Sequence, residues 1–405
     1  MTWEVKRLGD LYDITSSKRV FKSEWKQNGV PFYRAREIVK LAKQGFVENE
    51  LFISEEMYKK YSEKYGVPKE LDIMVTGVGT LGICYVVKKN DKFYFKDGNI
   101  IWFKRKSDIN SRFIEYAFKS DLLRKQIDNS MGATVGTYTI IKAKNTILPI
   151  PSLSEQKRIV AILDEAFESI ARAKESAEKN LKNANEIFES YLQSVFENKG
   201  EGWDEKKLGS LSKFVSVGHV GPTSKFYCEK HEGIPFLRSQ NVRPAKLSMK
   251  GIRYILPEFH KKLKKSQLKS GDLLFVRVGA NRGECCSLPE NLGEINCANI
   301  VFARPTEASP KFLELFCLSQ IGRKRLLGMT TGSAQGVINT KSVAELLIPL
   351  PNIKEQLAIE KKFNLISAET KKLEIIYTQK LADLEELKKS ILAKAFNGEL
   401  TEASA

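Results

Sequence analysis

Residues 149–156 read PIPSLSEQ and residues 349–356 read PLPNIKEQ, the same strand-to-helix joint written twice. This echo is one of a collinear series. Trp3-Glu-Val-Lys-Arg-Leu-Gly9 matches Trp203-Asp-Glu-Lys-Lys-Leu-Gly209, and Asp72-Ile-Met-Val matches Asp272-Leu-Leu-Phe. Asn99-Ile-Ile matches Asn299-Ile-Val, Gly132–Gly136 matches Gly332–Gly336, and Ser190–Phe196 matches Ser390–Phe396. All lie 200 residues apart; only Gly29-Val-Pro-Phe-Tyr-Arg34 and Gly233-Ile-Pro-Phe-Leu-Arg238 slip, by four. The chain is therefore two copies of one unit, and any fold must place that unit twice.

Each unit divides in two. Its first part is rich in short β-type runs, such as "DIMVTGV", "CYVV" and "NIIWF", parted by turn residues and interrupted by short helical stretches at 111–129 and 310–327. That mixture predicts an α+β lobe. The second part is a long amphipathic run. In the first copy Ile159, Ile162, Ala166, Ile170, Ala173, Ala177, Leu181, Ala184, Phe188, Tyr191 and Val195 recur every three or four residues, with no Gly or Pro before Gly200. Ser154 is the expected N-cap, and the helix should run for about 43 residues, roughly 65 Å. The second copy repeats the stripe from Ile359 through Phe363, Leu373, Leu381 and Leu387 to Ala395. A single-striped helix of this length needs a partner, and its twin is at hand. The expected fold class is α+β: two repeated lobes separated by two long helices packed as an antiparallel coiled coil. The expected boundaries are 1–148 and 201–348 for the lobes, and 149–200 and 349–405 for the spacer helices.

Charge follows the same division. The net +17 splits into +9 for residues 1–150, −3 for 151–202, +11 for 203–349 and zero for 350–405. Two basic lobes parted by neutral or acidic helices point to a polyanion met at two places. The six cysteines show no CxxC spacing and the three histidines are scattered. A reduced, cytoplasmic protein without a zinc site is expected. Neither a secretory signal nor a membrane-length apolar run is visible, so no membrane partner is expected.

Catalytic signatures are missing from both copies. Gly77-Val-Gly79-Thr-Leu-Gly82 has the dinucleotide spacing, but strand-like "ICYVVKK" follows where a helix would be required, and Arg277 replaces Gly77 in the second copy. These glycines read as a tight β-turn. There is no GxxxxGK[ST] loop and no Pro-Pro pair, so the Asn/Asp-Pro-Pro-aromatic loop of adenine methyltransferases is absent. What the lobes do offer is side chains suited to DNA. Arg34 and Arg36 follow one strand, and Arg238, Gln240 and Asn241 occupy the matching place. Arg can read guanine, and Asn or Gln adenine, through paired hydrogen bonds. Lys18, Arg19, Lys22 and Lys225 are candidate phosphate contacts. Thr134, Tyr138, Ser333 and Gln335 lie in Gly-flanked loops suited to a groove, and Arg277, Asn281 and Arg282 share the turn of the second copy. The shared Arg34/Arg238 reads equally well as a framework or phosphate residue.

The words "GVPFYRAREI"/"GIPFLRSQNV", "GDLLFVRVG", "LPIPSLSEQ"/"LPLPNIKEQ" and "ILAKAFNGELT" resemble the specificity subunits of type I restriction–modification enzymes. The resemblance covers nearly the whole chain and departs at Gly77. It implies two target-recognition domains, each reading half of an interrupted double-stranded DNA sequence, with the helices as spacer. It also implies partners: two methyltransferase subunits using S-adenosylmethionine, and restriction subunits using ATP and Mg2+. This chain itself would bind no cofactor and catalyse nothing. Two other classes stay open on the residues alone. One is a stand-alone nuclease or methyltransferase with unrecognised motifs; the other is a coiled-coil scaffold that binds nucleic acid without regard to sequence.

Overall fold

A computed structural model describes residues 3–128, 136–328 and 336–402. The chain forms two compact units, Met1–Ala177 with Gln379–Ala405, and Glu178–Thr378. Each holds one lobe and a stretch of both long helices.

In the first unit the opening strand Glu4–Arg7 pairs antiparallel with the closing strand Ile147–Ile150, setting Glu4 opposite Ile150. The lobe between them is built on a four-stranded antiparallel sheet in the order Tyr12–Thr15, Ile100–Arg105, Ile73–Thr76, Cys84–Val86. A smaller sheet sets Val30–Tyr33 between Phe52–Ile53 and, in parallel, Tyr94–Phe95. The central strands are apolar without alternation because both faces are covered. Ile73, Val75, Ile101 and Phe103 enter a core with Phe113 and Phe118, while Met74, Ile100 and Trp102 enter another with Ile38 and Phe95.

The second unit repeats this frame. Asp204–Lys207 pairs with Leu347–Leu350, Asp204 opposite Leu350. The four-stranded sheet runs Ser212–Val217, Ile300–Pro305, Leu273–Val276, Cys285–Ser287, and Ile234–Leu237 lies parallel to Ile295–Cys297. Leu273 and Phe275 face one core, Leu274 and Val276 the other. The lobes part company between the Gly-Val/Ile-Pro-Phe strand and the buried aspartate. The first inserts helices Ala35–Gln44 and Glu55–Tyr65. The second inserts a hairpin (Val242–Arg243 with Lys246–Leu247) and the short helix Pro257–Lys262, with strand Arg253–Ile255 taking the place that Phe52–Ile53 holds in the first.

The long helices are Leu153–Glu197, 45 residues, and Ile353–Phe396, 44 residues. They start two residues earlier than the expected cap. Ser152 Oγ accepts from the Glu155 amide at 3.3 Å and Asn352 Oδ1 from that of Glu355 at 3.0 Å, while Ser154 already lies in the first turn. The helices run antiparallel within each unit. In the first, Lys174 pairs with Glu385 at 2.7 Å and Lys388 lies over Phe167. In the second, Phe188 meets Phe363 at 4.6 Å and Lys362 lies over Tyr191. The deepest helix residues face the lobes rather than the twin. Ile159, Leu163, Leu392 and Phe396 join the core of the first lobe, and Leu192, Phe196 and Phe363 that of the second. Leu387, expected on the buried stripe, is 46% exposed. A helix serving both a twin and a lobe buries a wider face at its ends than a two-helix seam requires. No helix among the described residues is long and apolar enough to cross a membrane.

Candidate nucleic-acid interface

The repeated joint is explained by its glutamine. Gln156 is buried; its Nε2 donates to the Pro151 carbonyl at 2.9 Å and its Oε1 accepts from the Asn110 amide at 2.9 Å. Gln356 does the same, donating to the Pro351 carbonyl at 2.8 Å and accepting from the Ser309 amide at 2.9 Å. Each buried amide thus ties the first turn of a long helix to the N-terminus of the lobe helix, Ser111–Lys119 or Pro310–Leu318. Sequence reasoning singled out the prolines and passed over this residue, although its repetition in both copies was visible.

The glycine-rich segment joins two antiparallel strands, Ile73–Thr76 and Cys84–Val86, so it is a hairpin tip and has no helix to hold a phosphate. Gly77 is required by close approach: a Cβ there would sit 2.8 Å from the Tyr138 carbonyl. The Tyr138 amide donates to Gly77 O at 2.9 Å, and the Ile338 amide to Arg277 O at 3.1 Å. In each lobe the hairpin tip and the segment ahead of the closing strand therefore share one end of the sheet. Neighbouring loops reach the same end. Gly77 donates to Asn99 O, Gly218 to Ile300 O and Asn299 to His219 O.

The candidate residues separate into surface and frame. Lys18, Arg19 and Lys22 are exposed on the loop after Tyr12–Thr15. That loop is fixed from beneath: Lys18 N donates to Tyr94 Oη at 2.9 Å, Ser17 Oγ to Phe95 O at 2.7 Å, and Arg19 Nε to Asp97 at 2.9 Å. Burial pushes the Tyr94 phenol up to about 12, so it stays neutral under the loop. Lys18 and Lys64 both lie over the exposed Tyr65 ring, at 5.8 and 5.5 Å. In the second lobe Lys225, Gln240 and Asn281 are exposed. Arg282 Nη1 donates to Gly336 O at 2.7 Å, and Arg277 holds a buried Nε with no hydrogen-bond partner among the described residues.

Other candidates are framework. Tyr138, expected to face a groove, is 2% exposed and its hydroxyl shares a 2.8 Å hydrogen bond with Thr146; it packs edge-on to Phe118 in the core. Asn241, expected to read a base, is fully buried, its Oδ1 accepting from Arg238 N at 3.0 Å and its Nδ2 donating to Ser248 O at 2.8 Å. Arg34 and Arg36 converge on the buried Glu37 and on Glu50. Burial opposes the Glu37 charge, but hydrogen bonds from Arg34 and Arg36 outweigh it and hold the carboxyl below its usual range. Arg238 reaches Gly251 O at 3.3 Å and Gln240 the same oxygen at 3.1 Å. Thr134, Ser333 and Gln335 lie outside the described residues. Among the described residues no cluster of His, Cys, Asp and Glu could hold a metal ion.

Residues 1–181 match the family model of the type I restriction modification DNA specificity domain. The specificity subunit of the type I restriction enzyme EcoKI of Escherichia coli K12 is 30% identical over 314 residues, covering 72% of this chain and 66%, just under two thirds, of that protein. The EcoBI specificity subunit of Escherichia coli is 24% identical over 440 residues, covering 99% and 86%. Among solved structures, a chain from a study of complex assembly and conformational transition of the type I R-M system superposes with a TM-score of 0.76 at 20% identity, over 98% of both chains. The HsdS subunit of Thermoanaerobacter tengcongensis gives 0.64 at 19% identity, over 98% and 97%. At such identities the superpositions bear on the fold, two lobes with paired long helices. The chain belongs to the specificity subunits of type I restriction–modification enzymes, the non-catalytic component that gives those enzymes their DNA specificity.

Proposed function

We propose that each lobe reads one half of an interrupted double-stranded DNA sequence, and that the antiparallel long helices space the lobes and carry two methyltransferase subunits. Those subunits bind S-adenosylmethionine, and restriction subunits bring ATP and Mg2+; this chain supplies no reacting group. The observation that carries the reading is one frame holding two different surfaces. The four-stranded sheets and the pairs of opening and closing strands match strand for strand, whereas the smaller sheet has three strands in the first lobe and five in the second, and the segments after Tyr33 and Leu237 differ in secondary structure and in side chains. Two readers of different half-sites are built in this way. The candidate surface is the sheet end bearing Lys18, Arg19 and Lys22 in the first lobe, and Lys225, Arg277, Asn281 and Arg282 in the second, with Gln240 and Arg238 beside it. Arg34 and Arg36, both paired with Glu37 and Glu50, act through the backbone they fix.

Co-expression with the methyltransferase of the same system, followed by genome-wide mapping of methylated adenines, tests the proposal. A bipartite motif whose one half changes when one lobe is exchanged is the expected result. Unchanged halves after exchange of either lobe, or DNA cleavage or methylation by the purified chain alone, would overturn it.

A further inference from the structure

Lobe two carries a second basic segment, apart from the residues proposed above as its DNA-reading surface. Residues 257–269, PEFHKKLKKSQLK, form the helix Pro257–Lys262, a 3-10 turn Lys264–Ser266 and the strand Gln267–Leu268. Lys261, Lys262, Lys264, Lys265 and Lys269 are all exposed, and none of their ammonium groups enters an ion pair among the described residues. The segment itself is well anchored. Phe259 stacks on Phe226 at 3.8 Å and meets His219 edge-on at 5.5 Å; His260 is buried against Asn296, whose Nδ2 also donates to Leu263 O at 3.3 Å. The Phe226–Phe259 stack sets the turn that bears the exposed Lys225 against the helix Pro257–Lys262, and the Asn299 amide donates to His219 O, next to the sheet end. A fixed backbone thus carries five exposed like charges within nine residues, with Glu258 the one acidic residue in the segment and Glu294 beside His260 at 3.8 Å, an arrangement that suits a polyanion.

The first lobe has no such segment in the same topological place. Its helix Glu55–Tyr65, EEMYKKYSEKY, balances three lysines with three glutamates, and Glu55 is further paired with Lys92 at 2.8 Å. Flexible lysine ammoniums suit phosphates, which they meet as point charges without reading sequence.

We infer that the Lys261–Lys269 segment is a sequence-blind anchor on the phosphate backbone of duplex DNA, which adds to lobe two a non-specific, salt-dependent part of binding. The inference rests on the proposed DNA-reading function. The test uses the full chain with its methyltransferase subunits and a 40-base-pair duplex lacking the target. The slope of log Kd against log [KCl] is measured for wild type and for a variant with Lys→Ala at 261, 262, 264, 265 and 269. Every phosphate that is no longer neutralised should take about 0.9 off the slope, and the variant should fall by about 3 or more. Lys→Arg at the same five positions should restore the wild-type slope, which a folding defect would not allow. Lys→Ala at 59 and 60 of lobe one should change it by less than 1, and the methylated motif should be the same in all variants. A slope change below 1 in the five-alanine variant, or a segment-dependent preference for single-stranded RNA over duplex DNA, overturns the inference while leaving the half-site reading intact. Failure of the wild-type complex to bind duplex DNA with any salt dependence would overturn both. An altered methylated motif in the five-alanine variant would also overturn it, by making the segment a reader.

Discussion

Asp72 and Asp272 end the same loop and open the same central strand, yet the two lobes satisfy them differently. Asp72 accepts from Trp102 Nε1 at 2.9 Å and from the amides of Lys69 and Arg105 at 2.9 and 3.0 Å. Asp272 keeps the Lys269 amide, at 2.8 Å, but takes a two-pronged ion pair from Arg304, both bonds 2.7 Å. The same substitution of means recurs after the Gly-x-Pro-Phe strand. The amides of Arg34 and Arg238 each donate to the side chain three residues on, Glu37 Oε2 at 2.9 Å and Asn241 Oδ1 at 3.0 Å. With a carboxylate there the guanidinium turns inward to pair; with an amide it reaches out to a loop carbonyl. What the frame fixes is where a buried acceptor sits. Which donor serves it is open, and the surface beyond can change while the strands stay in place.

Exchange of whole lobes presses hardest on this comparison. Residues 4–150 and 204–350 end in the same strand pairing, so a chain with residues 204–350 in both places should fold and direct methylation to a symmetrical motif built from one half-site, read by methylome mapping. A motif still containing both half-sites would mean the lobes do not read separately. Next comes the buried aspartate. Asp272→Ala strands the Arg304 charge and should cost about 3–5 kcal/mol, whereas Asp72→Ala loses neutral donors only and should cost about 2 kcal/mol. Urea unfolding of each variant checks the order, and equal losses would erase the distinction. The glutamine clamps should behave alike in both lobes: Gln156→Ala and Gln356→Ala each leave a buried amide and carbonyl unpaired, at about 1–3 kcal/mol. Hydrogen exchange at the Asn110 and Ser309 amides should rise in step. The smallest effect is a difference in pH response. The Glu37 carboxyl is lowered from its usual 4.5, so its contribution is present above that value and fades as pH falls through the folded value. The Arg34 amide should therefore lose protection in acid while that of Arg238 does not, by about 1 kcal/mol or less, and Glu37→Gln should abolish the contrast.

The repeat, the α+β lobes and the two long helices were legible because each is written as periodicity or as recurring words. The apolar runs around Ile73 and Ile100 announced strands, and the hairpin at Gly77–Gly82 followed from the strand beyond it. The interface was less legible. Tyr138 and Asn241 have the chemistry of readers but are consumed by the core, since hydrogen-bonding capacity says nothing about which way a side chain faces. The lysines of 257–269 stand in the sequence as a charge run like any solvated face, and it took the anchored backbone beneath them, with no ion-pair partner for them among the described residues, to set them apart. Gln156 and Gln356 escaped for the opposite reason: a polar residue at a helix start looks solvated until its two backbone partners are known.

The pairing of opening and closing strands also bears on the order in which the molecule assembles. Residue 4 finds residue 150, and residue 204 finds residue 350, only by closing almost an entire lobe, a pairing of long sequence separation that forms slowly. Each long helix begins three residues past such a closure, with its first turn clamped to the finished lobe. On a growing chain the lobe is therefore completed before the helix it launches has a fixed starting point. The second helix must then wait for both closures before it can find its register against the first.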